Sequence, residues 1–234
     1  MLADYRELLD AKLKDAASKL TPAEKDLSIR RAVEQYSLVK PRVRVQTITG
    51  NGVLVTHDLA TDFEEGFSSV LQIEYPVGRQ VPEYLDAEQF TLYRDPLTGA
   101  LKLRLLDITL PNTVTAYVSY TARHSLAEGS GTPADTVPTP DRDPICHLAA
   151  AMGFEALAAY YTQETDPSLQ ADVSRGTERA AGYRELARDH RKLYASILGL
   201  AGDAIVGAAS AIGDLDEDLQ AWGGPRFFHD SRDR

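Results

Sequence analysis

The stretch TPAEKDLSIRRAVEQYSLVKPRVRVQTIT, residues 21–49, decides the fold, because its hydrophobic pattern changes period part-way along. It opens with a threonine, a proline and, two residues later, a glutamate, the pattern of an N-cap, a first helical position and a capping-box partner. A helix is therefore expected to begin at Thr21 and to stop near Lys40, since Pro41 disfavours helical backbone in the residue before it. Beyond Pro41, Val43, Val45 and Thr47 form one face of an alternating run, which predicts a β-strand.

A further helix is predicted before this stretch, from about Asp4 to Leu20. Asp4 and Glu7 have the spacing of a capping box. Apolar residues recur at helical spacing along it: Tyr5, Leu8, Leu9, Leu13, Ala16 and Leu20. Because only a short link separates the two helices, they are expected to pack as a helical hairpin.

The residues after the alternating run predict a small antiparallel β module. The segment Thr49-Gly50-Asn51-Gly52 has turn composition, so the first strand is expected to pair with Val53 to Val55 as a hairpin. A second turn is predicted at Asp95 to Gly99. Further strands are expected at Val70 to Tyr75, Phe90 to Arg94, Leu101 to Leu105 and Thr113 to Thr121.

The last part of the chain returns to helical patterns after a loop. Residues 127 to 143 are rich in Gly, Ser, Thr, Pro and Asp, which is typical of an exposed linker. A third helix is predicted from Asp143 and Pro144 to about Thr165, and because it is apolar nearly all round it is expected to be buried. A fourth helix is predicted from about Leu169 to Leu200.

Together these elements predict an α+β fold that is mainly a helical bundle. Two N-terminal and two C-terminal helices, in residues 1–41 and 144–200, are expected to form one discontinuous domain. The antiparallel β module of residues 42–126 is inserted between them, and the linker is 127–143. Residues 201–234 are predicted to be an extended or partly helical C-terminal arm, because they are not expected to form an apolar core of their own.

The only cysteine, Cys146, lies next to His147, but neighbouring side chains on a helix point about 100° apart and cannot readily form a nucleophile and base pair. A packing cysteine is the expected role. His57, Asp58, Asp62, Glu64 and Glu65 match no known ligand spacing, and a solvated acidic loop is expected.

Other signatures of chemistry are also missing from the sequence. Asp214, Asp216 and Asp218 resemble the start of a calcium loop, yet Leu219 replaces the required glycine and Pro225 the bidentate glutamate. No phosphate loop, dinucleotide fingerprint or nucleophile elbow occurs. We therefore expect a protein that is not an enzyme, with no catalytic residues, no cofactor and no metal site.

Charge and hydrophobicity narrow the class of partner. The formal net charge of -10 disfavours a protein that grips nucleic acid by neutralising phosphates. Arginines of the fourth helix are interleaved with Glu178, Glu185 and Asp189, which favours a salt-bridged face. The longest weakly polar stretch, Leu198 to Ile212, is shorter than the roughly 20 apolar residues of a membrane span, so no membrane partner is expected. Trp222, Phe227 and Phe228 near the end of the arm are candidate partner-binding residues, because aromatic side chains are favoured interface anchors.

Four stretches of this chain resemble the head-to-tail adaptor (connector) proteins of tailed bacteriophages and prophages. They are KDLSIRRAVEQYS at 25–37 with Pro41, IEYPVG at 73–78, HLAAA at 147–151 and YRELAR at 183–188. The resemblance runs through most of the chain and involves no catalytic signature.

This resemblance implies a virion structural protein located in the neck, present in the host cytoplasm during assembly. Its copies would form a ring, a dodecamer in the family's pattern, that joins the portal protein to the tail or to a second connector ring. Double-stranded DNA would pass through the lumen as non-specific cargo, and an acidic lumen would lower friction by repelling its phosphates. The aromatic arm would insert into a portal subunit.

Two alternatives from other classes stay open. The β surface could hold a peptide or glycan in a soluble binding module. A hydrolase using the acidic residues between Asp58 and Glu65 would need a deep pocket with perturbed carboxylates, of which the sequence gives no sign.

Overall fold

A computed structural model describes residues 2–126, 135–163 and 170–200 of the chain. In these ranges it is an α+β protein, as predicted. Its helices are α1 (Leu2–Leu13), α2 (Pro22–Val39), α3 (Arg142–Gln163) and α4 (Gln170–Ile197). Its strands are β1 (Arg42–Thr49), β2 (Thr56–Asp58), β3 (Val70–Glu74), β4 (Phe90–Arg94), β5 (Leu101–Leu105) and β6 (Thr115–Ala122). None of the helices in the described residues is long and apolar enough to cross a bilayer.

Helix α2 begins where the sequence predicts, because its first turn is closed by a complete capping box. The Thr21 hydroxyl accepts a hydrogen bond from the Glu24 backbone N–H, and the Glu24 carboxylate accepts one from the Thr21 N–H at 2.7 Å. Pro22 occupies the first helical position. These contacts satisfy amides that would otherwise lack an acceptor.

Helix α1 departs from the prediction at both ends. It starts at Leu2, so Asp4 lies inside the first turn and the expected capping box with Glu7 is wrong. The α-helix ends at Leu13, where Lys14 adopts a φ of 50°, and a 3₁₀ segment continues to Lys19. The change of path brings Leu20 against α3, where Gly153 leaves room for its side chain.

The four helices share one apolar core with α3 at its centre. Helix α3 packs on α1, α2 and α4, and most of its apolar residues are buried as predicted, but Ala156, Ala159 and Tyr160 near its end are exposed. Large buried members of this core are Tyr5, Leu9, Ile29, Tyr36, Ile145, Phe154 and Tyr194. Of the predicted linker, the described part is exposed at residues 138–140 and 143, but it is packed at its start: Val137 belongs to this core and the Asp135 side chain is fully buried.

The strands form two antiparallel three-stranded sheets, with orders β1-β6-β3 and β2-β5-β4. They enclose a second core. Its buried members are Ile48, Ile73, Leu103, Leu105, Leu110, Ala116 and Val118. The hairpin predicted at Asp95 to Gly99 is confirmed, because β4 and β5 are paired across it.

The hairpin predicted between β1 and Val53 to Val55 is wrong. Strand β1 pairs with β6 along its whole length, and residues 53–55 are not a strand. The backbone N–H groups of Gly50 and Gly52 donate to the carbonyls of Val114 and Leu110. The turn-like residues therefore fasten β1 to the chain before β6. The predicted domain division at 41, 126, 143 and 200 stays a prediction.

Candidate functional site

Cys146 and His147 are directed to different places, as their adjacency on a helix requires. Cys146 is fully buried, and its thiol lies 3.8 Å from the Tyr5 carbonyl oxygen. Burial raises the pKa of this thiol to about 12, so it stays protonated at neutral pH. Cys146 therefore has the packing role predicted for it. His147 instead faces α1 and α4.

The acidic residues at the end of β2 and in the loop after it are ion-paired. Asp62 accepts hydrogen bonds from Arg44, Arg42 and the Tyr120 hydroxyl. Burial opposes ionisation of Asp62, but the hydrogen bonds from Tyr120 and Arg44 outweigh it and hold its pKa below the usual value. Asp62 thus joins the loop to β1 and β6.

The other acidic residues of β2 and of this loop also have cationic partners. Glu64 pairs with Arg123 at 2.6 Å, Glu65 pairs with Arg94, and Asp58 lies 3.4 Å from Lys102. Among the described residues, no group of three or more His, Cys, Asp or Glu side chains is placed to hold a metal ion. The solvated loop that the sequence predicts is more accurately a loop of surface ion pairs.

The charged side of α4 is tied to α3. Arg191 pairs with Glu155 at 2.8 Å, and Arg184 donates to the Thr162 hydroxyl at 3.3 Å. The predicted salt-bridged face is therefore present. The carboxylate that pairs with Arg191, however, belongs to α3 and not to α4. The interleaved Asp189 lies 3.6 Å from Lys192.

The structure also brings together three residues that the sequence does not connect. Lys12 of α1 lies 2.9 Å from the Nε2 atom of His147, and the Nδ1 atoms of His147 and His190 are 2.9 Å apart. We call Lys12, His147 and His190 the histidine cluster. The only signal for this cluster in the sequence is the helical spacing of α3 and α4, which places apolar residues three or four positions away from each histidine.

One exposed apolar surface lies on α4. Leu186, Leu193 and Ile197 are seven and four residues apart, so they share one side of the helix. Each is between 44% and 51% exposed. This set, the helix stripe, flanks the buried face that Ala187 and Tyr194 present to the core.

A second exposed apolar surface lies on the sheet β1-β6-β3. Val43 and Val45 of β1 are 60% and 57% exposed. Val45 pairs with Ser119 and Thr47 with Tyr117, so Tyr117 lies on the same face as the valines. Val43, Val45 and Tyr117 are called the sheet patch. The opposite face of this sheet contributes Ile48 and Val118 to the strand core.

Two sets of residues weighed in the sequence lie outside the described residues. They are Asp214, Asp216 and Asp218 of the rejected calcium pattern and the candidate partner-binding residues Trp222, Phe227 and Phe228. The role of the aromatic arm stays a prediction.

No protein-family model and no curated protein matches the chain. Solved structures that are similar to it include two neck structures. The first is the neck of a native GTA (gene transfer agent) particle computed with twelvefold symmetry, at 16% identity and a TM-score of 0.28, covering 75% of this chain and 89% of that chain. The second is the neck of an empty GTA particle computed with sixfold symmetry, at 16% identity and a TM-score of 0.26, covering 69% and 79%. These scores are too low to establish a shared fold, so the function proposed below rests on the chain's own residues and on the four stretches that resemble head-to-tail adaptor proteins.

Proposed function

We propose that this chain is a non-catalytic structural subunit of the neck of a phage-like particle, and that its copies associate into a ring. The observation that carries the proposal is the presence of two separate exposed apolar surfaces, the helix stripe and the sheet patch, on one chain. Single exposed apolar residues are common on protein surfaces, but aligned sets mark interaction sites more often.

Two different surfaces suit a ring better than a twofold dimer. A dimer needs one self-complementary patch, whereas a ring joins two different patches head to tail. We therefore propose that the helix stripe of one copy packs on the sheet patch of the next.

The finer part of the proposal follows the family that the sequence resembles. The ring would be a dodecamer that joins the portal protein to the tail or a second connector, and double-stranded DNA would pass through it. The formal net charge of -10 is compatible with a lumen that repels phosphates. Trp222, Phe227 and Phe228 would contact the portal protein.

The assembly of the full chain tests the proposal by mass measurement, using mass photometry and light scattering over a range of concentrations. We expect the wild-type chain to form a closed oligomer of fixed size. The variants Leu193→Glu and Val45→Glu should each abolish it, because each places a charge in one of the two surfaces. Leu97→Glu is the matched control, since Leu97 is 94% exposed on the β4–β5 turn and belongs to neither surface.

A mixture of the two damaged variants distinguishes a head-to-tail contact from a symmetric one. Val45→Glu keeps its helix stripe and Leu193→Glu keeps its sheet patch, so together they should form a heterodimer and no larger species. A wild-type chain that stays monomeric at all concentrations, or variants that assemble as wild type does, would exclude self-association through these surfaces. A peptide- or glycan-binding module would use the sheet patch alone, and Leu193→Glu would leave its binding intact.

A further inference from the structure

The histidine cluster has a hydrogen-bond pattern that fixes the protonation of both imidazoles. The Lys12 ammonium can only donate, so Nε2 of His147 accepts its hydrogen bond at 2.9 Å. His147 then carries its proton on Nδ1 and donates it to Nδ1 of His190, 2.9 Å away. A single proton can lie between the two Nδ1 atoms. A second proton there would leave two N–H donors facing each other without an acceptor.

The position of the cluster makes this pattern relevant to α4. Lys12 belongs to α1, His147 to α3 and His190 to α4, so the cluster links three helices. His190 lies between Ala187 and Tyr194, the residues by which this part of α4 enters the helical core, and its ring contacts that of Phe154. Leu186 and Leu193 of the helix stripe lie close to His190 in sequence, on the adjoining side of the helix.

We propose that Lys12, His147 and His190 form a proton-sensitive latch, which holds α4 on α1 and α3 while both imidazoles are neutral and loosens it on mild acidification. A proton added at Nε2 of His147 would face the Lys12 ammonium at 2.9 Å, which is nearer than the Asp143 carboxylate oxygen 3.6 Å from the same nitrogen; the other oxygen of Asp143 already pairs with Lys12. A proton added at Nδ1 of His190 would face the N–H of His147. Either one replaces an attraction by a repulsion between adjacent helices.

The surrounding charges support the same direction. Burial and the neighbouring Lys12 lower the pKa of both histidines, against smaller opposing effects of Asp143 on His147 and of Asp189 on His190. Asp143 pairs with Lys12 at 2.7 Å, and this hydrogen bond lowers the pKa of its carboxyl, so Asp143 stays ionised while the histidines titrate. Asp189 also lies 3.6 Å from Lys192.

The sign of the pH effect follows from these directions. When the pKa of a histidine is lower in the folded state, the open state binds more protons near pH 6 than the closed state does. The latch therefore stabilises α4 fully above the ordinary histidine pKa of about 6.5 and loses strength as the pH falls through the lowered folded value.

Hydrogen–deuterium exchange on the full chain tests the latch. Between about pH 7.5 and pH 5.5, exchange in residues 184–197, corrected for the intrinsic pH dependence, should accelerate as the pH falls, because the open state takes up protons that the closed state does not. His190→Asn keeps an acceptor near the position of Nδ1 without titrating in this range, and should abolish the acceleration. The mass of the chain is measured at both pH values, so that a change in assembly is not mistaken for opening.

Two further variants separate the latch from a structural role of the same residues. His57→Asn is the matched control, because His57 also has a pKa lowered by burial but lies in β2, and it should behave as wild type does. Lys12→Met should raise the NMR titration midpoints of His147 and His190. Exchange in residues 184–197 that ignores pH in the wild type, acceleration that persists in His190→Asn, or midpoints unmoved by Lys12→Met would each overturn the proposal.

Discussion

At the scale of single residues, Gly50 and Gly182 are placed to respond oppositely to the same substitution. A Cβ atom on Gly50 would lie 2.4 Å from the backbone oxygens of both Leu110 and Pro111, whereas one on the exposed Gly182 of α4 would meet nothing within 4 Å. Gly50→Ala should lower the free energy of unfolding by roughly 1–3 kcal/mol, the range of overpacked sites. Gly182→Ala should raise it by up to about 1 kcal/mol, because alanine is the better helix former. Urea unfolding measures both, and two changes of the same sign would contradict the placement of β1 against residues 110–114.

Individual residues also show how far composition can be trusted. The segment 127–143 has the composition of a linker, yet Asp135 pairs with Arg142 at 2.9 Å and accepts a hydrogen bond from the Tyr5 hydroxyl. Composition identifies a segment without periodicity, but it does not reveal which of its side chains finds a buried partner. The packing role of Cys146 could be predicted, because it follows from the geometry of one helix. The contact between His147 and His190 could not be predicted, because it depends on how two helices pack.

At the scale of elements, the start of α2 depends on a local capping box that can be tested by itself. Thr21→Ala removes the acceptor for the Glu24 N–H and should cost about 1 kcal/mol of stability, measured by thermal and urea unfolding. Glu24→Gln is the matched control, because glutamine keeps an oxygen for the Thr21 N–H and should cost less. Equal losses in the two variants would mean that the Thr21 hydroxyl contributes nothing specific.

Elements fixed by local signals were predicted, whereas those fixed by distant partners were not. The α2 cap and the Asp95 to Gly99 turn each act within a few residues, and both are where the sequence places them. The turn composition at residues 49–52 led to the wrong prediction of a hairpin. In the structure, the side-chain oxygen of Asn51 accepts hydrogen bonds from the N–H groups of Val53 and Leu54. This closes the local turn without a second strand, so β1 is free to pair with β6, a partner that no local pattern reveals.

At the scale of the whole molecule, the chain has two apolar cores with no residue in common. The helical core draws on residues before 37 and after 125, and the strand core lies between residues 48 and 118. The junction between them is held from the helical side. His124 donates its backbone N–H to the Ser37 hydroxyl, and its ring lies within hydrogen-bonding distance of the Lys40 and Thr136 carbonyls.

This arrangement predicts that the helices fold without the strands. Arg42 and Ala122 are register partners on neighbouring antiparallel strands, so their Cα atoms are about 5 Å apart and a short Gly-Ser linker can replace residues 43–121. We expect the shortened chain to keep a helical circular dichroism spectrum and to unfold in one cooperative transition, because every large residue of the helical core is retained. The further change Tyr36→Ala should abolish that transition, since the Tyr36 side chain of α2 is buried in the helical core and its hydroxyl donates to the Asp141 carboxylate. A shortened chain that melts gradually would instead mean that the helices need the strands, and that the predicted discontinuous domain does not exist as a folding unit.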